Sequence, residues 1–242
     1  MKGSTFSTLT DVPTSAWYDR RVAVVSDLEG TLTTGQTWRA LGTEAERRIG
    51  RARYLAFMAK RLPAMGLVLV GRAPKRPFQD AWLQGLVTCF AGLDVAAFEA
   101  MAERAVAAEL WPKRREDVVA ALRVHLAAGE RVVVASGSLQ PLVDAFARRL
   151  AEVTERTVEA LGTPLEVAQG RLTGRLSGPV SAGEEKARRV HAYLGEERLS
   201  VAYGDSDADV PLLMLSDAAV AVYPDEVLRK TAQDLGWAVL DG

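Results

Sequence analysis

Short apolar runs alternate with amphipathic helical patterns along most of this chain of 242 residues. The first run, 22–25, contains only valine and alanine and ends in a polar turn, which is typical of a buried strand. Similar runs occupy 131–135, 199–203 and 218–222, and helical patterns separate them. This alternation predicts an α/β fold in which helices cover a Rossmann-like, mostly parallel sheet.

Two further patterns predict local structure. The segment 165–176 is extended on both sides of Gln169-Gly170, which predicts a β-hairpin. Thr43 and Glu46 have the spacing of a capping box, which predicts that a long helix begins there.

The part of the chain between the first two strands has helical patterns throughout. We therefore predict a helical cap, residues 36–111, inserted into an α/β core made of residues 21–35 and 112–242. Residues 1–20 are rich in serine and threonine, and we interpret them as a partly disordered lead-in.

Composition limits the class of the protein and its partners. With 48% hydrophobic residues, the chain can bury one sizeable core, or a core and a smaller cap. The net charge of -1 gives no indication of nucleic-acid binding, and no apolar run reaches the roughly 18 residues of a membrane-spanning helix. The lone Cys89 excludes an intramolecular disulfide, and the first 20 residues contain no apolar signal-peptide region. These features predict a soluble, cytoplasmic protein.

Charge is distributed unevenly within the predicted cap. Residues 36–80 contain ten lysines and arginines but three acidic residues, and apolar stretches lie among them. The basic residues are Arg39, Arg47, Arg48, Arg51, Arg53, Lys60, Arg61, Arg72, Lys75 and Arg76, and the acidic ones are Glu44, Glu46 and Asp80. The simpler interpretation is a solvated basic face above the core of the cap. The alternative is that the cap attracts an anionic, partly apolar substrate or makes peripheral contact with an anionic membrane surface.

Side chains suited to phosphate chemistry follow or adjoin the predicted strands. Asp27 and Glu29 come directly after the first strand. Ser136 follows the second strand, Asp205 follows the third, and Lys186 lies on the helix before the third. Because parallel strands end at the same edge of a sheet, these groups are expected to form one site.

The carboxylates of Asp27 and Glu29 can divide the work of phosphoryl transfer. Asp27 would attack phosphorus and form an aspartyl-phosphate, while Glu29 would protonate the leaving oxygen and then activate water. Asp205, Asp27 and the backbone carbonyl of Glu29 would hold Mg²⁺, a hard cation that prefers oxygen ligands. The metal would offset the repulsion between the anionic nucleophile and the phosphate.

The remaining groups would bind the phosphate. Ser136, with the adjacent Gly137, and Lys186 would contact the phosphate oxygens. Asp209 would orient Lys186 or a metal-bound water. Taken singly, Ser136 could be a helix cap and Lys186 a solvated surface lysine. The order in which all of these groups occur favours a catalytic site over such separate structural roles.

These residues resemble the four sequence blocks of the haloacid dehalogenase-like phosphohydrolases, in the order typical of that family. The blocks correspond to Asp27-Leu28-Glu29-Gly30-Thr31, Ser136-Gly137-Ser138, Glu185-Lys186 and Gly204-Asp205-Ser206-Asp207-Ala208-Asp209. A helical insert between the first two blocks is similar to subfamily IB, the phosphoserine-phosphatase-like branch. The resemblance implies Mg²⁺-dependent hydrolysis of a small phosphorylated metabolite, with the residue roles given above.

Glu29 departs from most of this family, which has an aspartate at the corresponding place. A glutamate there is similar to enolase-phosphatase and to homoserine phosphotransferase relatives. The longer side chain keeps acid/base chemistry available, but it leaves open whether the phosphoryl group passes to water or to an acceptor alcohol.

The residues with which phosphoserine phosphatases bind their substrate's amino acid head are not matched. The family's glutamate, nine residues after the nucleophile, corresponds to Gln36, which we expect to contact the substrate. If Phe78 matches the family's cap phenylalanine, the family's arginine falls on Gly85. Without that carboxylate and that guanidinium, phosphoserine is disfavoured as the substrate.

The sequence therefore predicts a Mg²⁺-dependent phosphatase that acts through an aspartyl-phosphate on Asp27. Two alternatives stay open: a phosphotransferase that uses the same intermediate, and a catalytically silent phosphate-binding module. The sequence makes no prediction of the oligomeric state.

Overall fold

The computed structural model describes residues 22–241. The strands are β1 (Val22–Ser26), β2 (Arg131–Leu139), β3 (Val158–Thr163), β4 (Leu165–Ala168), β5 (Arg171–Leu176), β6 (Arg198–Gly204), β7 (Ala218–Val222) and β8 (Ala238–Leu240). The helices are α1 (Thr37–Ile49), α2 (Arg51–Ala59), α3 (Leu62–Leu69), α4 (Lys75–Thr88), α5 (Val95–Ala105), α6 (Glu116–Ala127), α7 (Gln140–Thr154), α8 (Glu184–Leu194), α9 (Val210–Leu213) and α10 (Glu226–Leu235). The lead-in predicted for residues 1–20 lies outside the described residues.

Six strands form one parallel sheet in the order β3-β2-β1-β6-β7-β8. Strand β1 is central, with Val25 opposite Val133 of β2 and Ala202 of β6. The carboxyl ends of these three strands therefore lie side by side. The predicted Rossmann-like α/β fold is confirmed.

Both faces of the sheet are covered by apolar side chains, as the uninterrupted apolar run of β1 predicts. Val24 belongs to a core that includes residues of α6, α7 and the helical insert. Ala23 and Val25 point to the opposite face and pack in a second core with residues of α8, α9 and α10. The period of two along the strand separates these two layers.

The chain between β1 and β2 is helical, as predicted, but its second half packs closely on the sheet domain. Helix α5 lies against α7, and the Trp111 and Phe146 rings meet edge to face with centroids 5.3 Å apart. The backbone of Leu172 in β5 donates to Leu93 O at 2.9 Å and accepts from Gly92 N at 2.7 Å. None of the helices in residues 22–241 has both the length and the apolar character needed to cross a membrane.

The prediction that a long helix begins at Thr43 is wrong. Thr43 lies inside α1, where its hydroxyl donates to Arg39 O at 3.1 Å, and the helix begins at Thr37 after an extended Gln36. The pattern then breaks at Gly50, whose φ of +83° suits glycine. Three successive helices, α1 to α3, replace the single long one.

The predicted hairpin is confirmed: β4 and β5 are antiparallel, and Gln169 and Gly170 both have positive φ, as a type I′ turn requires. The second strand is longer than predicted: Ser136-Gly137-Ser138 does not follow it but forms the extended end of β2. A shift in the β2–β3 register accommodates it, and the Thr163 hydroxyl donates to Gly137 O at 2.7 Å.

Candidate active site

The loop after β1 brings Asp27 next to the loop after β6. Asp27 N donates to Tyr203 O at 3.0 Å, so the first residue beyond β1 is still paired with β6. At Gly30, where φ is +91°, a Cβ would overlap the Asp205 carboxylate. Thr31 Oγ1 donates to Asp205 Oδ1 at 3.3 Å. The glycine and threonine of the first block therefore allow Asp205 to approach Asp27.

Lys186 joins two of the predicted acidic residues. Its side chain comes from α8, and the residue is only 3% exposed. Lys186 Nζ donates to Asp27 Oδ1 at 2.5 Å and to Asp209 Oδ1 at 2.7 Å. The interpretation of Lys186 as a solvated surface lysine is therefore wrong.

Asp209 holds both Lys186 and the loop after β6. Its Oδ2 accepts from Asp205 N and Ser206 N, both at 3.2 Å, and from Ser206 Oγ at 3.1 Å. Gly204 makes this arrangement possible, because a Cβ there would lie 2.5 Å from the Cβ of Asp209. The structure thus places Asp209 where it can orient Lys186.

Gly204→Ala is expected to destabilise the protein by about 1–3 kcal/mol, since the new methyl group must displace Asp209. Urea denaturation measures this loss of unfolding free energy. Gly178→Ala is the matched control, because a Cβ at Gly178 would meet open space. Equal stability of the two variants would contradict this account of Gly204.

Three carboxylates form a candidate metal centre. Oxygens of Asp27, Asp205 and Asp209 lie within 4.8 Å of one another. The donors are all oxygen, and three acidic groups surround the one ammonium of Lys186, so the donor set fits a hard divalent cation. The sequence predicts that Asp209 orients Lys186 or a metal-bound water. The structure adds the Asp209 carboxylate to the possible metal donors.

The electrostatics of the centre follow from burial. Burial, reinforced by the Asp209 charge, raises the pKa of Asp205 to about 7. Burial also raises the pKa of Asp27, against the opposing effect of Lys186. For Lys186 itself, burial lowers the pKa, but the Asp209 and Asp27 carboxylates outweigh burial and hold the pKa above its ordinary value. The Lys186 ammonium therefore stays charged, but its single positive charge does not balance the negative charges of the three carboxylates.

Glu29 lies apart from the Lys186 ion pairs and faces the helical insert. Its carboxylate accepts a hydrogen bond from Thr37 N, the first backbone amide of α1. Burial raises the pKa of Glu29, although this hydrogen bond opposes the shift. A carboxyl group with a raised pKa at the end of β1 is suited to exchange protons. Gln36 stands next to this contact and is exposed.

The end of β2 carries the residues that the sequence predicts to contact phosphate. Ser136 is buried, and its Oγ accepts from Ser138 N at 3.1 Å. A Cβ at Gly137 would lie 3.2 Å from the Ala182 side chain, so the segment before α8 covers this residue closely. Ser138 Oγ and Ser181 Oγ are buried without a hydrogen-bond partner among residues 22–241. Sequence reasoning missed both hydroxyls, because only packing shows that they are unsatisfied.

Two arginines of the insert make contacts that the sequence did not indicate. The Arg76 guanidinium lies where a Cβ of Gly183 would be, directly before the helix that carries Lys186. The Arg61 guanidinium occupies the corresponding space beside Gly85. Arg61 also donates to Phe57 O at 3.1 Å and lies over the Phe57 ring. Gly85, the position at which the family's arginine falls, therefore has no side chain of its own but has the Arg61 guanidinium beside it.

Comparisons with known proteins agree with this arrangement. The sequence profile of the haloacid dehalogenase-like hydrolases matches residues 24–214. The phosphoserine phosphatase SerB1 of Mycobacterium tuberculosis is 36% identical over 151 residues, which are 61% of this chain and 46% of that protein. The probable phosphatase Rv3661 of the same species is 26% identical over 231 residues, 94% of this chain and 75% of that protein.

A solved structure extends the comparison to the whole fold. A protein of unknown function from Bordetella pertussis superposes with a TM-score of 0.75 and 25% identity, covering 92% of this chain and 99% of that one. The match to SerB1 spans less than half of that relative's length. The family profile, in contrast, covers most of this chain, and all four blocks that form the site fall within it. This chain belongs to the haloacid dehalogenase-like hydrolases.

Proposed function

We propose that this protein is a Mg²⁺-dependent phosphatase that hydrolyses a small-molecule phosphomonoester through an aspartyl-phosphate on Asp27. The observation that carries the proposal is the buried cluster in which Lys186 bridges Asp27 and Asp209, with Asp205 alongside. A purely structural role does not explain three acidic groups gathered beyond the carboxyl ends of β1 and β6. Membership of a hydrolase family and a relative named as a probable phosphatase support the same activity.

The proposed first step is attack by Asp27 on phosphorus. Lys186 holds Oδ1 of Asp27, while Oδ2 makes no hydrogen bond within residues 22–241 and is available to attack. A bond forms between this oxygen and phosphorus as the ester bond to the leaving oxygen breaks. Glu29, whose raised pKa favours the protonated form, transfers its proton to the leaving oxygen.

The second step releases the phosphate. Glu29, now a carboxylate, takes a proton from a water molecule as that water attacks phosphorus, and the bond to Asp27 breaks. Ser136, the Gly137 backbone and Lys186 are the groups that we assign to the phosphate oxygens. The permanent charge of Lys186 suits this role throughout the cycle.

Asp27 and Asp205 would hold Mg²⁺, together with the backbone carbonyl of Glu29, and Asp209 lies beside them. When bound, the cation supplies positive charge that compensates the anionic nucleophile and phosphate. The all-oxygen donor set and its surplus of negative charge support Mg²⁺ over a soft metal.

A small phosphorylated metabolite is the substrate class that we propose, and no feature points to nucleic acid. Arg76, next to the start of α8, adds a positive charge at the side of the insert that faces the site. We propose the cytoplasm as the compartment, because Cys89 is a buried free thiol and the fold has no partner for it.

A screen of phosphorylated metabolites with Mg²⁺ is expected to show turnover with phosphoserine among the poor substrates. The physical reason is that Gln36 lacks the negative charge needed to bind the ammonium group of phosphoserine. The Arg61 guanidinium beside Gly85 could attract only the carboxylate of that substrate. Phosphate release and acceptor phosphorylation are measured together. Strong turnover of phosphoserine would contradict this specificity.

The same screen distinguishes the second candidate activity, transfer of the phosphoryl group to an alcohol, which Glu29 leaves open. A phosphotransferase would produce phosphorylated acceptor in proportion to added alcohol, whereas a phosphatase releases inorganic phosphate regardless of the alcohol. A silent phosphate-binding module would produce neither.

A further inference from the structure

Helix α3 is apolar around its whole circumference and yet is mostly exposed. Its sequence, LPAMGLVL, contains no polar side chain, and none of its residues is buried. Leu69 is 77% exposed, and Val70, which follows the helix, is 66% exposed. A helix with apolar residues on every side is normally buried in protein or in lipid. Within residues 22–241, α3 contacts α4, and its Met65 and Val68 are half-buried, but the other residues of the helix are exposed.

Basic residues lie on both sides of this apolar helix along the chain. Between 47 and 79 the chain has nine lysines and arginines and no acidic residue. The nine are Arg47, Arg48, Arg51, Arg53, Lys60, Arg61, Arg72, Lys75 and Arg76. Helix α2 also contributes no buried residue, and its Leu55 is 55% exposed. We call the exposed residues of this region the α2–α3 surface: Arg51, Arg53, Leu55, Lys60, Leu62, Leu67, Leu69, Val70, Arg72 and Lys75.

Charge and shape distinguish between the possible occupants of the α2–α3 surface. A second copy of the chain, related by a two-fold axis, would bring one basic rim against another. A protein groove that receives a helix selects an amphipathic one, whereas α3 has no polar face. Helix α3 is about 12 Å long, which is too short to cross a bilayer but enough to lie within its headgroup boundary.

We propose that the α2–α3 surface docks on an anionic lipid bilayer, with α3 at the boundary between headgroups and acyl chains. The apolar helix enters the boundary, and Lys60, Arg72 and Lys75 contact anionic headgroups. Arg76 follows the end of α3 by seven residues, so the bilayer lies within about 25 Å of the Arg76–Gly183 contact. Docking would therefore place the membrane within about 25 Å of the segment that precedes the helix carrying Lys186.

Vesicle flotation of the full chain tests this proposal. Vesicles made of equal parts of phosphatidylglycerol and phosphatidylcholine are expected to carry the protein at about 0.05 M salt, and binding is expected to fall sharply at about 0.5 M. Vesicles of phosphatidylcholine alone are expected to bind at least about tenfold less. Equal binding to both vesicle types, or no binding to either, would overturn the proposal.

Two variants with matched controls separate the apolar and charged contributions. Leu69→Asp is expected to weaken binding at least about tenfold, whereas Val124→Asp, at a residue 69% exposed on α6, leaves it unchanged. Lys60→Glu is expected to weaken binding at least about fivefold, and Lys230→Glu on α10 is its control. Equal binding by Leu69→Asp and wild type would remove α3 from the docking site.

Two further measurements complete the test. Turnover of a soluble aryl phosphate without vesicles is expected to be the same for wild type, Leu69→Asp and Lys60→Glu. Sedimentation velocity checks for a dimer that Leu69→Asp abolishes, and such a dimer would assign the surface to a second copy instead. Because flotation requires no turnover, it can fail or succeed independently of the proposed phosphatase activity.

Discussion

Asp27→Asn is expected to lower kcat with an aryl phosphate by at least about 10⁴-fold, because the amide cannot form the phosphorylated intermediate. The substitution preserves shape, and Lys186 keeps its 2.7 Å hydrogen bond to Asp209, so the fold should remain intact. Steady-state kinetics measure the loss, and circular dichroism checks the fold.

Asp207→Asn is the matched control for this experiment. Asp207 belongs to the same acidic run, but its side chain is exposed and it takes no part in the ion pairs of Lys186. We expect it to keep wild-type activity. Mass spectrometry of acid-quenched wild-type enzyme should find one added phosphoryl group, which Asp27→Asn lacks. Substantial turnover by Asp27→Asn would refute the aspartyl-phosphate mechanism, whatever metal or substrate is used.

Asp205→Asn is expected to remove most of the effect of Mg²⁺ on stability. In metal-free wild type, Asp27, Asp205 and Asp209 share the single positive charge of Lys186. Mg²⁺ should therefore raise the Tm of wild type, since the ion binds only the folded protein. The variant has lost a ligand and one negative charge, so its metal-free Tm should be higher and its response to Mg²⁺ small. Thermal unfolding with and without Mg²⁺ measures both changes.

The stability of the metal-free protein is expected to depend on pH through the Asp205 carboxyl group. Burial raises the pKa of Asp205 from its ordinary value of 3.8 to about 7, so the folded protein binds this proton more tightly than the unfolded chain. Stability from this group is complete below about pH 4 and is lost as pH rises to about 7. We expect metal-free wild type to lose up to about 4 kcal/mol over this range relative to Asp205→Asn. A parallel pH dependence of the two proteins would contradict it, and Asp207→Asn again serves as control.

Glu29 remains the residue on which the choice between water and an alcohol depends. The structure shows its carboxylate at Thr37 N, the start of the helical insert, and away from the Lys186 cluster. The position of the Glu29 carboxylate is thus tied to the insert as well as to β1. Any group that displaces α1 would also move this carboxylate.

Much of the architecture follows from local pattern. The apolar run of β1 requires burial on both faces, and the strands at 131–135, 199–203 and 218–222 were predicted by the same rule. The helical insert and the hairpin at Gln169-Gly170 were also predicted correctly. The errors occurred at single glycines and at a capping motif, because Gly50 interrupts a helix that side-chain periodicity alone would continue.

The sequence by itself determined which reactive side chains follow which strands, and it also determined the family. Both depend on local spacing, because a carboxylate at the end of a strand is visible in the residues next to that strand. Only the tertiary structure decided that Lys186 is buried between Asp27 and Asp209 and that Gly30 and Gly204 make room for Asp205 and Asp209. Burial and close approach are properties of segments far apart in the chain, so periodicity does not report them. For the same reason, the exposure of α3 could not be read from its apolar sequence, which by itself is typical of a buried helix.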